Sequence, residues 1–190
     1  KEAEVLYCCD LLPSRLQFAK DRYPSLKIIK DYKDILRDGD IEAVVIATPA
    51  ETHYKIAKEC LKKGKHVLVE KPITFNVKEA EELVKISEDE KRILMVGHTF
   101  EFNSAVIKAR EYIESGELGD VYYITSRRVN LGVVRSDINA MWNLAPHDIS
   151  ILIFLLKAMP LNVRASGASF LQKDIEDVVF LSLEFPKNIL

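Results

Sequence analysis

The stretch His66-Val67-Leu68-Val69-Glu70-Lys71-Pro72 decides how this chain is read. Residues suited to a buried strand run straight into an acid, a base and a proline. As a strand of a parallel sheet, the run places the Lys71 ammonium at the carboxyl edge, where open α/β sheets bind ligands. A lysine there stabilises an alkoxide or relays a proton, because burial and neighbours draw such a group's pKa toward neutrality. The same residues also read as a strand that ends in charged surface groups before a turn.

Outward from this strand, short apolar runs at 5–9, 26–29, 43–47, 67–69 and 93–96 alternate with helical periodicity. One helix follows Pro13 and ends near Tyr23-Pro24. A second spans 50–63, with Ile56, Ala57, Cys60 and Leu61 on one face and Gly64 as its stop. A third follows Asn76, an N-cap with Glu79 three residues on, and buries Val77, Ala80, Leu83 and Val84. Continuous apolar strands separated by helices predict a parallel sheet covered on both faces, in a doubly wound α/β arrangement.

The second half has a different rhythm. A helix over 103–115 carries Phe102, Ala105, Val106, Ala109 and Ile113 in register, with Gly116 as its terminator. A strand is predicted over 121–129, then a polar, irregular stretch to Asn139. A helix starting at Pro146 carries Ile149, Leu152, Ile153 and Leu156, and strands follow at 163–170 and 178–185. Strands without intervening helices indicate an antiparallel or mixed sheet, hence a second domain beginning within 97–102.

Bulk properties narrow the class. The chain has 190 residues, 48% of them hydrophobic, and a formal charge of −2, which suits a globular protein of one or two domains with a sizeable core. That balance offers no electrostatic case for nucleic acid or an anionic membrane. The longest apolar run, 149–156, is broken by Ser150 and far shorter than a membrane span. No secretory signal opens the sequence, and the three cysteines (Cys8, Cys9, Cys60) have no metal-ligand spacing. A reducing, cytoplasmic setting follows, with the cysteines as small core residues. A strand pattern is under way by Glu4, and Pro186-Lys187-Asn188 turns into Ile189-Leu190, so both ends read as cut.

Several residues carry chemistry. Asp10 closes the first strand, where an acid accepts hydrogen bonds from the vicinal hydroxyls of an adenosine ribose and repels a ribose phosphate. That favours NAD over NADP; Asp10 also reads as a residue shaping the approach to the helix at Pro13. None of the seven glycines forms a Gly-x-Gly fingerprint, which in this fold follows the strand before the one ending in the ribose acid. Ala47-Thr48-Pro49 ends the strand 43–47, and its small residues and hydroxyl let a flat ligand approach. His53 follows at a helix start, and Gly97-His98 repeats the pattern; His53 reads equally as a surface residue. His147, next to Pro146 and Asp148, is predicted in the first turn of its helix, where the dipole keeps an imidazole neutral and able to accept a proton. It reads also as a capping histidine, with Asp148 complementing the dipole. Asn143, four residues earlier, is placed to orient a substrate hydroxyl. The histidines lack metal-ligand spacing, so no metal is expected.

Taken together, these motifs resemble one family. The order is Asp10, Ala47-Thr48-Pro49-Ala50-Glu51-Thr52-His53, Gly64-Lys65-His66-Val67-Leu68-Val69-Glu70-Lys71-Pro72, Val96-Gly97-His98-Thr99-Phe100, Gly116-Glu117-Leu118-Gly119, and Asn143-Leu144-Ala145-Pro146-His147-Asp148. It resembles the glucose-fructose oxidoreductase / inositol dehydrogenase / rhizopine catabolism (Gfo/Idh/MocA) family over nearly the whole chain. The resemblance implies an NAD(P)-dependent dehydrogenase acting on a secondary hydroxyl of a sugar, nucleotide sugar or cyclitol. It implies a Rossmann domain over 1–99, without its first strand and glycine loop. A truncated substrate-binding and oligomerisation α/β domain follows over 100–190, with an open, mostly antiparallel mixed sheet of the kind that supports homodimers or homotetramers. By the same resemblance Lys71 lies beside the nicotinamide and the reacting hydroxyl, and His147 is the acid/base residue. Asp10, Ala47, Thr48, Pro49, His53, Glu70, Pro72 and His98 line the cofactor cleft, with a cis peptide before Pro72. The segment from Trp142 to Asp148 is similar to members acting on nucleotide-linked sugars, UDP-N-acetylglucosamine 3-dehydrogenases among them.

Two departures matter. The family often has Asp where this chain has Asn143, and Asn holds a hydroxyl without helping to take its proton. The glycine loop that cradles a pyrophosphate is absent, so this stretch alone is expected to bind dinucleotide poorly. A non-catalytic, NAD-binding regulator of the same fold and an inactive fragment are the alternatives.

Overall fold

The computed structural model describes residues 3–129 and 138–190. The chain divides into two units, Lys1–Val96 and Gly97–Leu190. In the first, strands and helices alternate: β1 (Tyr7–Cys9), α1 (Pro13–Arg22), β2 (Lys27–Ile29), α2 (Lys33–Arg37), β3 (Ala43–Ile46), α3 (His53–Lys62), β4 (His66–Val69), α4 (Val77–Asp89) and β5 (Leu94–Val96). β1 pairs with β2, β3 with β4 and β4 with β5, all parallel. This is the doubly wound pattern read from the sequence. The sheet comes in two pieces, β1-β2 and β3-β4-β5, with no ladder joining β1 to β3 among the described residues.

Local chemistry sets the helix ends. Pro13 opens α1, where a missing N–H costs nothing. The Asn76 side chain accepts from the Lys78 N–H at 2.8 Å and caps α4. β4 is the middle strand of its sheet, and Val67 and Val69 point into a core made with Ile46, Ala57, Cys60, Leu61 and Leu83. α3 and α4 supply the helical side of that core. On the opposite face of this piece Val45 is 70% exposed. Of the α4 residues expected in the core, Leu83 is buried, while Val77 and Val84 are exposed because the inward face of α4 runs through Leu83 and Ser87.

The second unit holds a 3-10 turn (Thr99–Phe102), α5 (Ser104–Ser115), α6 (Ala140–Leu156) and the strands β6 (Asn162–Ala168) and β7 (Val178–Glu184). Asn103 caps α5 by accepting from the Ala105 N–H at 2.9 Å, and Gly116 ends it at φ 77°. β6 and β7 are antiparallel, as read from the sequence. Gly167 sits where the strands close: a Cβ there would lie 3.0 Å from the Val178 carbonyl oxygen.

Two sequence expectations change here. No strand forms over 121–129. That run takes one step of a parallel ladder, Leu190 N–H to Tyr122 O at 3.2 Å and Ile124 N–H to Leu190 O at 2.8 Å. α6 begins at Ala140, not Pro146, because Asn139 takes the cap by accepting from the Trp142 N–H at 3.1 Å. Of the irregular stretch expected after residue 129, the part up to 137 lies outside the described residues.

Candidate active site

In the first unit the strand ends bring one group of predicted site residues together. β4 runs out through Glu70, whose N–H bonds the Ile46 carbonyl of β3 at 2.9 Å. The chain then turns at Lys71, whose N–H donates to Glu70 Oε2 at 3.3 Å, and the Lys71–Pro72 peptide is cis. β3 runs out through Ala47, Thr48 and Pro49, all exposed. The Thr48 and Thr52 hydroxyls bond each other at 2.6 Å, and Thr52 Oγ1 donates to Pro49 O at 2.7 Å, which closes a tight loop ahead of α3.

His53 joins these two loops. Its ring is 1% exposed, with Nδ1 2.8 Å from Pro72 O and Nε2 2.8 Å from Thr48 O. Both partners are carbonyl oxygens, which only accept. The neutral ring therefore bonds one of them, and the imidazolium bonds both. His53 is neither a surface residue nor an open wall of a cleft: both ring nitrogens face main chain. It ties the end of β3 to the loop that carries Lys71.

Asp10 stands at the end of β1, half-buried. Its Oδ1 accepts from the Leu12 N–H at 2.8 Å and its Oδ2 from Arg15 at 3.3 Å. The Leu12 bond, aided by Arg15, holds this carboxyl below the usual aspartate range against a small burial penalty. Asp10 thus shapes the approach to α1 and still presents an ionised carboxylate at a strand's carboxyl end. His98 follows β5 at the start of the 3-10 turn, and its Nδ1 is buried with no hydrogen-bond partner among the described residues.

In the second unit His147 stands well inside α6, so the helix amino end does not act on it and the dipole argument for a neutral ring falls. Its surroundings come from other segments. The Phe100 ring meets the imidazole edge-on, with centroids 4.9 Å apart. Asp148 accepts from Arg128 Nε at 3.0 Å and Arg128 Nη2 at 3.2 Å, and from Ser126 Oγ at 2.7 Å. The Arg128 guanidinium lies 4.7 Å over the Phe100 ring. Burial works against ionisation of Asp148, but the bonds from Arg128 and Ser126 prevail and hold its carboxyl below the ordinary range. Asn143 sits one turn before His147, its N–H bonded to Asn139 O at 3.0 Å. The sequence gives no site role to Ser126 or Arg128, and it shows Phe100 only as part of the motif Val96-Gly97-His98-Thr99-Phe100. The one trace of their role is an acid directly after His147, which also reads as a complement to the helix dipole.

Among the described residues, no group of three or more His, Cys, Asp and Glu side chains could hold a metal ion, and no helix is long and apolar enough to cross a membrane.

Comparison with known proteins places the chain. Residues 1–98 match the oxidoreductase family with an NAD-binding Rossmann fold, and residues 106–190 match the GFO/IDH/MocA C-terminal domain. The chain is 27% identical over 157 residues to an inositol 2-dehydrogenase of Salmonella typhimurium, covering 80% of this chain and 47% of that protein. It is 30% identical over 132 residues to a UDP-N-acetylglucosamine 3-dehydrogenase of Acidithiobacillus ferrooxidans, covering 69% and 41%. The crystal structure of the WlbA dehydrogenase from Bordetella pertussis, in complex with NADH and UDP-GlcNAcA, superposes with a TM-score of 0.85 at 25% identity, covering 98% of this chain and 57% of that one. The chain spans about half the length of the curated relatives it matches.

Proposed function

We propose a function from one premise: the chain belongs to the oxidoreductase family with an NAD-binding Rossmann fold. The protein of which these residues form the site is an NAD-dependent dehydrogenase acting on a secondary hydroxyl of a sugar, nucleotide sugar or cyclitol. The observation that carries this reading is the loop Glu70-Lys71-Pro72 at the end of β4, pinned by His53 to the end of β3. A lysine so placed has its backbone fixed by main-chain geometry at the carboxyl end of a buried strand.

The residues present fit parts of a dinucleotide. Asp10 offers an ionised carboxylate for ribose hydroxyls at the end of β1, which favours NAD over NADP. Ala47, Thr48 and Pro49 with Glu70, Lys71 and Pro72 offer two adjacent strand ends. A Gly-x-Gly pyrophosphate cradle is not among the chain's seven glycines. NAD, when bound, supplies the hydride acceptor. In the reaction His147 takes the proton of the substrate hydroxyl, Lys71 stabilises the alkoxide as it develops, and Asn143 holds a hydroxyl in place. The relatives' names support a cyclitol or nucleotide-sugar substrate. We place the protein in the cytoplasm, as a homodimer or homotetramer, with Rossmann and substrate domains over 1–99 and 100–190.

The test is absorbance of reduced nicotinamide with a panel of inositols and nucleotide sugars. Lys71→Ala and His147→Asn should each lower kcat by roughly a hundredfold or more. Near-unchanged turnover in either variant refutes the assignment. Asn143 favours a second reading, a regulator that binds NAD without turning over, for which the same panel gives binding and no reduced cofactor.

A further inference from the structure

The surroundings of His147 include charges that the proposed reaction does not use. Asp148 follows it directly, and its carboxylate is grasped by both prongs of the Arg128 guanidinium and by the Ser126 hydroxyl. The Asp148 and Arg128 side chains are 19% and 28% exposed, so solvent screens this pair only in part. The same guanidinium lies over Phe100, and Phe100 borders the imidazole. One arginine therefore touches both the carboxylate beside His147 and the ring against it.

We propose that Arg128 is a positioning residue for His147: its fork offsets the charge of the Asp148 carboxylate next to His147 in the chain, and its stacking seats Phe100 against the ring. The inference rests on the reading of His147 as the acid/base group. A free carboxylate one residue away would favour imidazolium, and an imidazolium takes no proton from a substrate hydroxyl. The coupling is reciprocal, since a positive charge on His147 favours ionised Asp148. With Arg128 in place, the Asp148 charge is matched by its opposite.

Among the described residues, other charged groups on the elements around His147 are few. The 3-10 turn carries His98 and Glu101, and the run containing Ser126 carries Arg127 beside Arg128. At the far end of α6, Lys157 pairs with Glu114 at 2.6 Å and Arg110 stacks over Phe154. The competing account makes Arg128–Asp148 a tie between two segments with no bearing on the imidazole. It predicts that removing Arg128 changes stability and leaves the titration of His147 where it was.

The experiment is a carbon-detected NMR titration of the full chain labelled at histidine. There are four histidines, and His147→Asn assigns the signal. Arg128→Gln should move the His147 midpoint up, by about half a pH unit or more, the size of one unmatched charge nearby in a part-solvated site. Asp148→Asn should move it down, and the double variant should return it close to the original value. Arg128→Lys, which keeps the charge and loses the fork, should give a smaller upward shift, and it decides the matter if Arg128→Gln does not fold. An unmoved or lowered midpoint on loss of the fork overturns the proposal. If the midpoints move as stated while His147→Asn keeps its turnover, the charge arrangement stands and the functional reading fails.

Discussion

Replacing His53 by Ala would remove the buried donor that its ring presents to two main-chain carbonyls, of which the neutral ring satisfies one and the imidazolium both. The ring is 1% exposed, and its nitrogens lie 2.8 Å from Thr48 O and from Pro72 O. A hydrogen bond contributes roughly 0.5–1.5 kcal/mol net, and a buried acceptor left without a donor costs about 1–3 kcal/mol. The ring-sized void adds to this, since a buried site relaxes only in part. Together these give about 3–4 kcal/mol for the first unit. His66→Ala is the matched control: its Nδ1 accepts from the Ile93 N–H at 2.9 Å, but the residue is half-exposed and water replaces the lost partner. That control should cost about 1 kcal/mol or less. Trp142, the single tryptophan, lies in the second unit, so its fluorescence does not report on this change. Amide exchange of β3 and β4, with urea unfolding followed by circular dichroism, reads the first unit directly. If His53→Ala falls within about 0.5 kcal/mol of His66→Ala, the clasp contributes nothing beyond an ordinary contact and the reasoning fails.

Two further outcomes are checked by the same methods. Leu61→Ala, at a fully buried position in the core shared by α3, α4 and β4, should destabilise the first unit by about 2–5 kcal/mol in urea, and a smaller loss would mean that the core collapses around the void. Asp148 has a carboxyl pKa held below its unfolded value, so it adds stability above the ordinary aspartate range and loses it as the pH falls through the lower folded value. Below about pH 4 the natural chain should therefore lose stability more steeply than Asp148→Asn, and parallel curves for the two would refute the assigned cause.

The alternation of strands and helices in the first unit is legible because each strand is a short apolar run bounded by helix starts and stops of known chemistry. Pro13, Asn76 and Gly116 act in the structure as their types suggest. Pro146 misleads for a physical reason. A proline suits the first turn of a helix, but Asn139 caps α6 seven residues earlier, and Pro146 sits inside with no N–H to offer. The run 121–129 has strand-like composition, yet strand identity belongs to a pair, and its backbone partner among the described residues is Leu190 alone. The buried face of α4 failed at Val77 and Val84, because period alone does not say which side of a helix its neighbours occupy.

The site divides along the same line. Residues whose role follows from local position, such as Lys71 after a buried strand and Asp10 closing another, are readable from neighbours in the chain. Residues whose role depends on distant partners are not. His53 reads as a helix-start histidine until Pro72, nineteen residues on, supplies one of its acceptors. Arg128 reads as one of two adjacent arginines until Asp148, twenty residues on, takes both of its prongs. Each of these residues fixes a neighbour that carries the proposed chemistry: His53 the loop of Lys71, and Arg128 the carboxylate and ring beside His147. A lysine and a histidine are common residues, and their types alone make no catalyst. Reactivity requires that the lysine's backbone be held and that the charge beside the imidazole be set, and in this chain His53 holds the one and Arg128 pairs the carboxylate that governs the other, neither with a part in the proposed reaction itself.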